Sequence, residues 1–145
     1  GAAPYLTARF HLGYHDQDRQ CRPPHRWFLI DRHDRAITQG EIIAFAAVGL
    51  GPYFRDGQVI IKRAAGVPGD RIQVDPENVR INGAKVGEGL ALAGTLERPP
   101  EDFLRDDIVP PGHLWMMGAT ADSFDSRYWG FLPEQRVIGR AYALW

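Results

Sequence analysis

Lys62 is the residue with the clearest chemical promise. It follows the apolar run Val59-Ile60-Ile61 on a probable strand, so its amine is pressed by apolar neighbours. A lysine in that position either snorkels to water or does chemistry. An unperturbed amine is protonated at neutral pH, and turning it into a base takes about 4 kcal/mol of desolvation or like-charge pressure. Arg63 could add that pressure only by pointing the same way, which strand alternation opposes. Cys21 is the second candidate. As the single cysteine it excludes an internal disulfide and a CxxC redox pair, and is either a small buried apolar group or a reactive thiol. A zinc site is the third possibility, since His11 and His15 are spaced i,i+4 and Cys21, His25 and His33 follow. No paired CxxC or HxxEH pattern accompanies them, and their spacing matches no standard module. Solvated histidines are the simpler account, and no metal or cofactor is expected.

The elements that must position these residues are short. Sixteen glycines and eleven prolines interrupt brief Val, Ile and aromatic runs, which predicts strands and turns with few, short helices. Residues 1–26 read as polar and irregular up to Pro23-Pro24. Buried strands are expected at Trp27-Phe28-Leu29-Ile30, Ile42-Ile43-Ala44-Phe45-Ala46 and Gln58-Val59-Ile60-Ile61-Lys62-Arg63, the last ended by Gly66-Val67-Pro68-Gly69-Asp70. A hairpin is expected from Arg71–Val74 and Asn78–Ile81, with Asn82-Gly83 as a tight turn. Residues 84–107 read as loop-rich, and His113–Met117 with Val137–Ala141 close the fold. Trp27, Phe28, Trp115 and Trp129 are expected mostly in the core.

Two blocks carry a family resemblance. Lys62-Arg63-Ala64-Ala65-Gly66-Val67-Pro68-Gly69-Asp70 resembles the lysine box of type I signal peptidases, K-R-x-x-G-x-P-G-D. Ser123-Phe124-Asp125-Ser126-Arg127-Tyr128-Trp129-Gly130 resembles the family's S-x-D-S-R-x-x-G box. Gly40-Glu41-Ile42-Ile43-Ala44-Phe45 is similar to its G-D-x-V-x-F segment, with Glu in place of Asp. The blocks stand in family order over about residues 17–145. Gly118-Ala119-Thr120-Ala121-Asp122-Ser123 lacks the housekeeping G-D-N-R and is one residue shorter, which resembles the conjugative-transfer (TraF-like) branch.

The resemblance implies a mainly β fold, a signal-peptidase/LexA-like antiparallel assembly forming a single domain over residues 1–145. Its core would span about 17–70 and 108–145, with an inserted cap at about 71–107. It further implies Lys62 as general base, Ser123 as the group orienting it, and Asp125, Ser126 and Arg127 as supports, most simply through an Asp125–Arg127 charge interaction. The family's nucleophilic serine, read as S-x-P or S-x-x-P, has no counterpart, because no serine or threonine lies between Gln17 and Trp27. Cys21-Arg22-Pro23-Pro24 fits both spacings, placing Cys21 in the serine's role. Its backbone amide would serve as an oxyanion donor, while Arg19 occupies the place of the housekeeping second donor. Two resting states of the pair stay open. A thiol is more acidic than an ammonium group, which favours thiolate with ammonium, whereas burial favours the neutral pair.

The implied activity is membrane-associated maturation of a conjugative pilin or other secreted precursor. The implied place is the periplasmic face of the bacterial inner membrane. No stretch is apolar enough to span a bilayer, and the chain opens at Gly1-Ala2-Ala3 without an initiator Met, so an anchor is expected upstream. The net charge of −1, with Asp31 and Asp34 interrupting the arginines from Arg19 to Arg35, argues against nucleic acid as a partner. The oligomeric state is not set by the sequence. Two rival readings remain: an inactive relative serving as a binding module of a conjugative secretion system, and a self-cleaving repressor-type protease, for which Ala93-Gly94 would be the scissile bond.

Overall fold

The computed structural model describes residues 9–14, 27–32 and 37–143. Among these, eleven strands form two sheets, and all pairings are antiparallel. The strands are β1 (Phe10–Tyr14), β2 (Trp27–Asp31), β3 (Ile42–Ala46), β4 (Val59–Gly66), β5 (Arg71–Val74), β6 (Asn78–Ile81), β7 (Ala84–Glu88), β8 (Arg105–Ile108), β9 (His113–Met117), β10 (Leu132–Pro133) and β11 (Val137–Ala143). A short α-helix, α1, spans Ser126–Trp129. The larger sheet runs β1-β2-β11-β3-β4-β9-β10 and the smaller β7-β6-β5-β8. The fold is therefore mainly β, as expected.

Alternation along β3 and β4 explains why the large sheet is buried on both faces. Ile43, Phe45, Ile60 and Ala64 join Leu114 and Met116 in one apolar cluster. Ala44 and Ile61 point the other way, into a cluster with Phe28, Ile30 and Ala141. Strand β9 is buried on both faces too: Trp115 and Met117 face a third cluster, built on Ile72, Val74, Val79 and Ile81 of the small sheet. The small sheet is thus an excursion between two paired strands, β4 and β9, and rests on the back of β9. Val109 N–H donates to the Asp70 carbonyl and Gly69 N–H to the Val109 carbonyl, fastening the points where the chain leaves and returns.

Asn82 and Gly83 both have positive φ, 51° and 87°, as the tight two-residue turn between β6 and β7 requires. Two expectations are corrected. Part of the stretch read as irregular is strand β1, paired residue for residue with β2; Phe10, Leu12 and Tyr14 alternate with His11 and Gly13, a period of two among polar neighbours. The loop-rich reading of residues 84–107 also misses β7 and the start of β8. Both are edge strands with mostly exposed side chains, so neither carries a buried apolar period, and the charged Arg105-Asp106-Asp107 suits an edge left open to water.

Candidate active site

Lys62 lies in the middle of β4, opposite Ile43 of β3, and its exposure is 0%. Alternation puts it on the same face as Ile60 and Ala64, both in the main apolar cluster. Arg63 points away, is exposed, and donates to the Gly40 carbonyl, so it adds no like charge on Lys62's side. The turn after β4 is built by its sequence. A Cβ on Gly66 would stand 3.0 Å from both Ile72 Cδ1 and Trp115 Cβ, so any side chain here would press on its neighbours where the two sheets meet. The Asp70 carboxylate accepts from Val67 N–H at 2.9 Å and stiffens the turn.

The segment after β9 folds back over this strand. β4 and β9 pair Arg63 with Met117, so the next position in that register sets Gly118 across from Lys62. The Asp125 carboxylate accepts from Gly118 N–H at 3.0 Å, and Ser126 Oγ accepts from Met116 N–H at 2.8 Å. Phe124, the residue after Ser123, packs on the cluster containing Ile60 and Ala64. The second box is therefore fastened along β9 and packs on the apolar cluster to which Ile60 and Ala64, on the Lys62 face of β4, belong.

Within that segment four polar side chains are buried: Ser123 (2% exposed), Asp125 (0%), Ser126 (0%) and Arg127 (3%). Asp125 caps α1 by accepting from Arg127 N–H. Arg127 and Asp125 form a two-pronged pair, Nε to Oδ1 at 2.8 Å and Nη2 to Oδ2 at 2.9 Å. The remaining guanidinium protons go to the carbonyls of Glu88, Gly89, Thr120, Ala121 and Ser123. One side chain thus ties the turn bearing Ser123 to the end of β7. A charge this deep is tolerated because it is paired and its donors are used.

The profile of the family described as signal peptidase, peptidase S26, matches residues 19–145. The chain belongs to the signal peptidase family. It is similar to a probable signal peptidase I-2 from Synechocystis sp. (strain ATCC 27184 / PCC 6803 / Kazusa), 32% identical over 74% of this chain and 48% of the relative. It is also similar to a signal peptidase I from Leptolyngbya laminosa, 34% identical over 77% of this chain and 54% of the relative. The chain thus spans about half the length of these two relatives. A conjugal transfer protein TraF from Agrobacterium tumefaciens (strain 15955) is 28% identical over 97% of this chain and 89% of its own.

Of the residues the sequence singled out, Lys62 is buried on β4, and Ser123, Asp125, Ser126 and Arg127 are buried together in the segment that follows β9. Cys21 lies outside the described residues, as do Arg19 and the histidines weighed for zinc, His15, His25 and His33, while His11 is part of β1. Ala93 is buried in the small-sheet cluster and its carbonyl accepts from Arg98 N–H, while Gly94 is exposed in the same turn. The sequence reading passes over Thr120, whose hydroxyl is 2.9 Å from that of Ser123. Its signal was the departure from the housekeeping box in the lead to Ser123.

Proposed function

We propose that this chain is the catalytic portion of a signal-peptidase-like endopeptidase that matures a pilin-like or other secreted precursor, working through Cys21 and Lys62. The observation that carries the reading is Lys62 itself: a wholly buried lysine on an apolar strand face, in a chain that also buries Ser123, Asp125 and Arg127. Membership of the signal peptidase family supports the peptidase activity. Similarity to a conjugal transfer protein over nearly the whole chain supports the conjugative assignment. On this reading the enzyme works at the periplasmic face of the bacterial inner membrane, where the precursor and the membrane surface are its partners.

In the proposed reaction the Cys21 sulfur attacks the scissile carbonyl carbon, and the proton of the thiol passes to Lys62 and then to the leaving amine. The product is a thioester to Cys21. Lys62 next takes a proton from water, the resulting hydroxide attacks the thioester, and the thiolate recovers the proton as the new carboxyl terminus departs. Ser123 orients the Lys62 amine. The Asp125–Arg127 pair keeps the Ser123 turn in place.

Incubating the chain with candidate pilin precursors in lipid, and mapping new termini by mass spectrometry, tests the reading. Wild type should release one defined new terminus. Cys21→Ala and Lys62→Ala, both folded, should lower the rate by about 10²-fold or more. Wild-type rates from folded Cys21→Ala would remove the nucleophile assignment. Precursor retained without any new terminus would make the chain a binding module instead.

A further inference from the structure

Ser123 is the residue expected to touch Lys62, and what holds Ser123 has not been assigned a role in the chemistry. Residues 120–123 form a tight turn in which Ser123 N–H donates to the Thr120 carbonyl at 3.2 Å. Across the same turn the Thr120 and Ser123 hydroxyls are 2.9 Å apart, and either can be the donor. Ser123 is 2% exposed. Thr120 is only partly buried and lines a cavity of about 210 Å³, together with Gly118, Ala121 and Arg127 on one side and Val86 and Gly87 of β7 on the other. The turn is stiff, because the carbonyls of Thr120, Ala121 and Ser123 all accept from the Arg127 guanidinium.

From this geometry we propose that Thr120 is a positioning residue, which acts through the Ser123 hydroxyl to match both protonation states of Lys62. The inference rests on the functional reading above, in which Ser123 meets Lys62. A hydroxyl has one proton and two acceptor positions. While Lys62 is a neutral amine, Thr120 O–H donates to Ser123 Oγ, and Ser123 O–H donates to the amine lone pair. Once Lys62 has taken a proton, its ammonium group donates to Ser123 Oγ. The Ser123 proton must then turn elsewhere, and Thr120 Oγ is the acceptor within reach. The Thr120 proton rotates toward water in the cavity. Every hydroxyl keeps its own proton, and only orientations change. Without Thr120 the ammonium state would leave a buried Ser123 donor unsatisfied, a penalty that falls on a state formed during turnover and not on substrate binding.

The test compares wild type, Thr120→Val, Thr120→Ser and Lys62→Ala on an internally quenched peptide spanning an Ala-x-Ala site, with thermal unfolding of each. Valine keeps the shape and removes the hydroxyl, whereas serine keeps the hydroxyl. We expect Thr120→Val to lower kcat by about tenfold, with KM and melting temperature close to wild type. Thr120→Ser should recover most of the lost rate. Thr120→Val turning over like wild type while Lys62→Ala is inactive would overturn the inference and leave the functional reading standing. Equal losses in Thr120→Val and Thr120→Ser, or a loss confined to KM or accompanied by a lower melting temperature, would also overturn it, since each marks a packing role. Lys62→Ala as active as wild type, or no cleavage of the peptide by wild type, would overturn the functional reading and this inference with it.

Discussion

Two arginine–carboxylate forks in this molecule have nearly the same shape and opposite surroundings. In the smaller sheet, Arg71 on β5 meets Asp106 on β8, with Nε to Oδ1 at 2.9 Å and Nη2 to Oδ2 at 2.8 Å. Under the second box, Arg127 meets Asp125 through the same atoms at 2.8 and 2.9 Å. The first pair is about half exposed on both sides, and the second is 1% and 0% exposed. Geometry alone would rank them equal, but water separates them. The exposed fork competes with solvent for both partners and adds little. The buried fork has left water altogether, and its value depends on every remaining donor finding an acceptor. Five backbone carbonyls meet that need. The buried pair is therefore a clamp on the Ser123 turn, while the exposed pair decorates a sheet that its apolar face already holds.

The largest effect should come from breaking the buried fork. Replacing Arg127 with Met leaves the Asp125 carboxyl group buried without the guanidinium fork, and five carbonyls lose that donor. Loss of about 3–5 kcal/mol of stability is expected, read as a fall in melting temperature, together with loss of precursor processing. Arg127→Lys should not rescue it, because one ammonium group cannot reproduce the planar fork and the lateral donors at once. A melting temperature unchanged in Arg127→Met would show that the pair is not structural. Arg71→Ala sits at the other end of the scale. Its fork is screened by solvent, so its melting temperature should match wild type within the scatter of the measurement. A fall as large as that of Arg127→Met would erase the distinction between the two environments.

The sequence displayed what periodicity can encode. Ile42–Ala46 and His113–Met117 stand as strands with the limits read from their apolar runs, and Asn82-Gly83 makes its turn. Strand β4 runs on to Gly66, past the Arg63 where the apolar run stops, because Ala64 and Gly66 are small residues packed against β9 and the small sheet. Edge strands β7 and β8 gave no signal, since a strand that buries little needs no apolar period. In the site, the two boxes announced Lys62, Ser123, Asp125 and Arg127 by their resemblance to a family. The destination of the Arg127 donors was beyond reach, because backbone carbonyls have no residue type. Thr120 was hidden for a related reason: a threonine in a turn reads as ordinary turn chemistry until its hydroxyl is seen against Ser123.

Acid and salt together divide the exposed carboxylates themselves. Asp106 is held below the usual carboxylate range chiefly by its hydrogen bonds from Arg71, with the charge of Arg71 adding to them. Asp75 is lowered for a different reason: the backbone N–H groups of Glu77 and Asn78 both donate to Oδ1, and Arg80 contributes less. Each folded-state value lies below the unfolded one, so each group's contribution to stability is present above about pH 4 and is lost as the pH falls through the lower folded value. Both are open to water, so the changes should be small. Added salt should tell them apart. At about 1 M salt the screening length shrinks to roughly 3 Å, which weakens a charge pair at the surface and leaves local backbone hydrogen bonds largely intact. Following the two carboxyl carbons by NMR from about pH 6 to 2, in low and high salt, should show the Asp106 midpoint rising toward the ordinary range while that of Asp75 stays in place. Arg71→Ala should produce the Asp106 shift without salt. Equal movement of both midpoints would mean that charge, and not the turn's own amides, sets Asp75. The exposed sheet would then be governed by one electrostatic field instead of by separate local contacts.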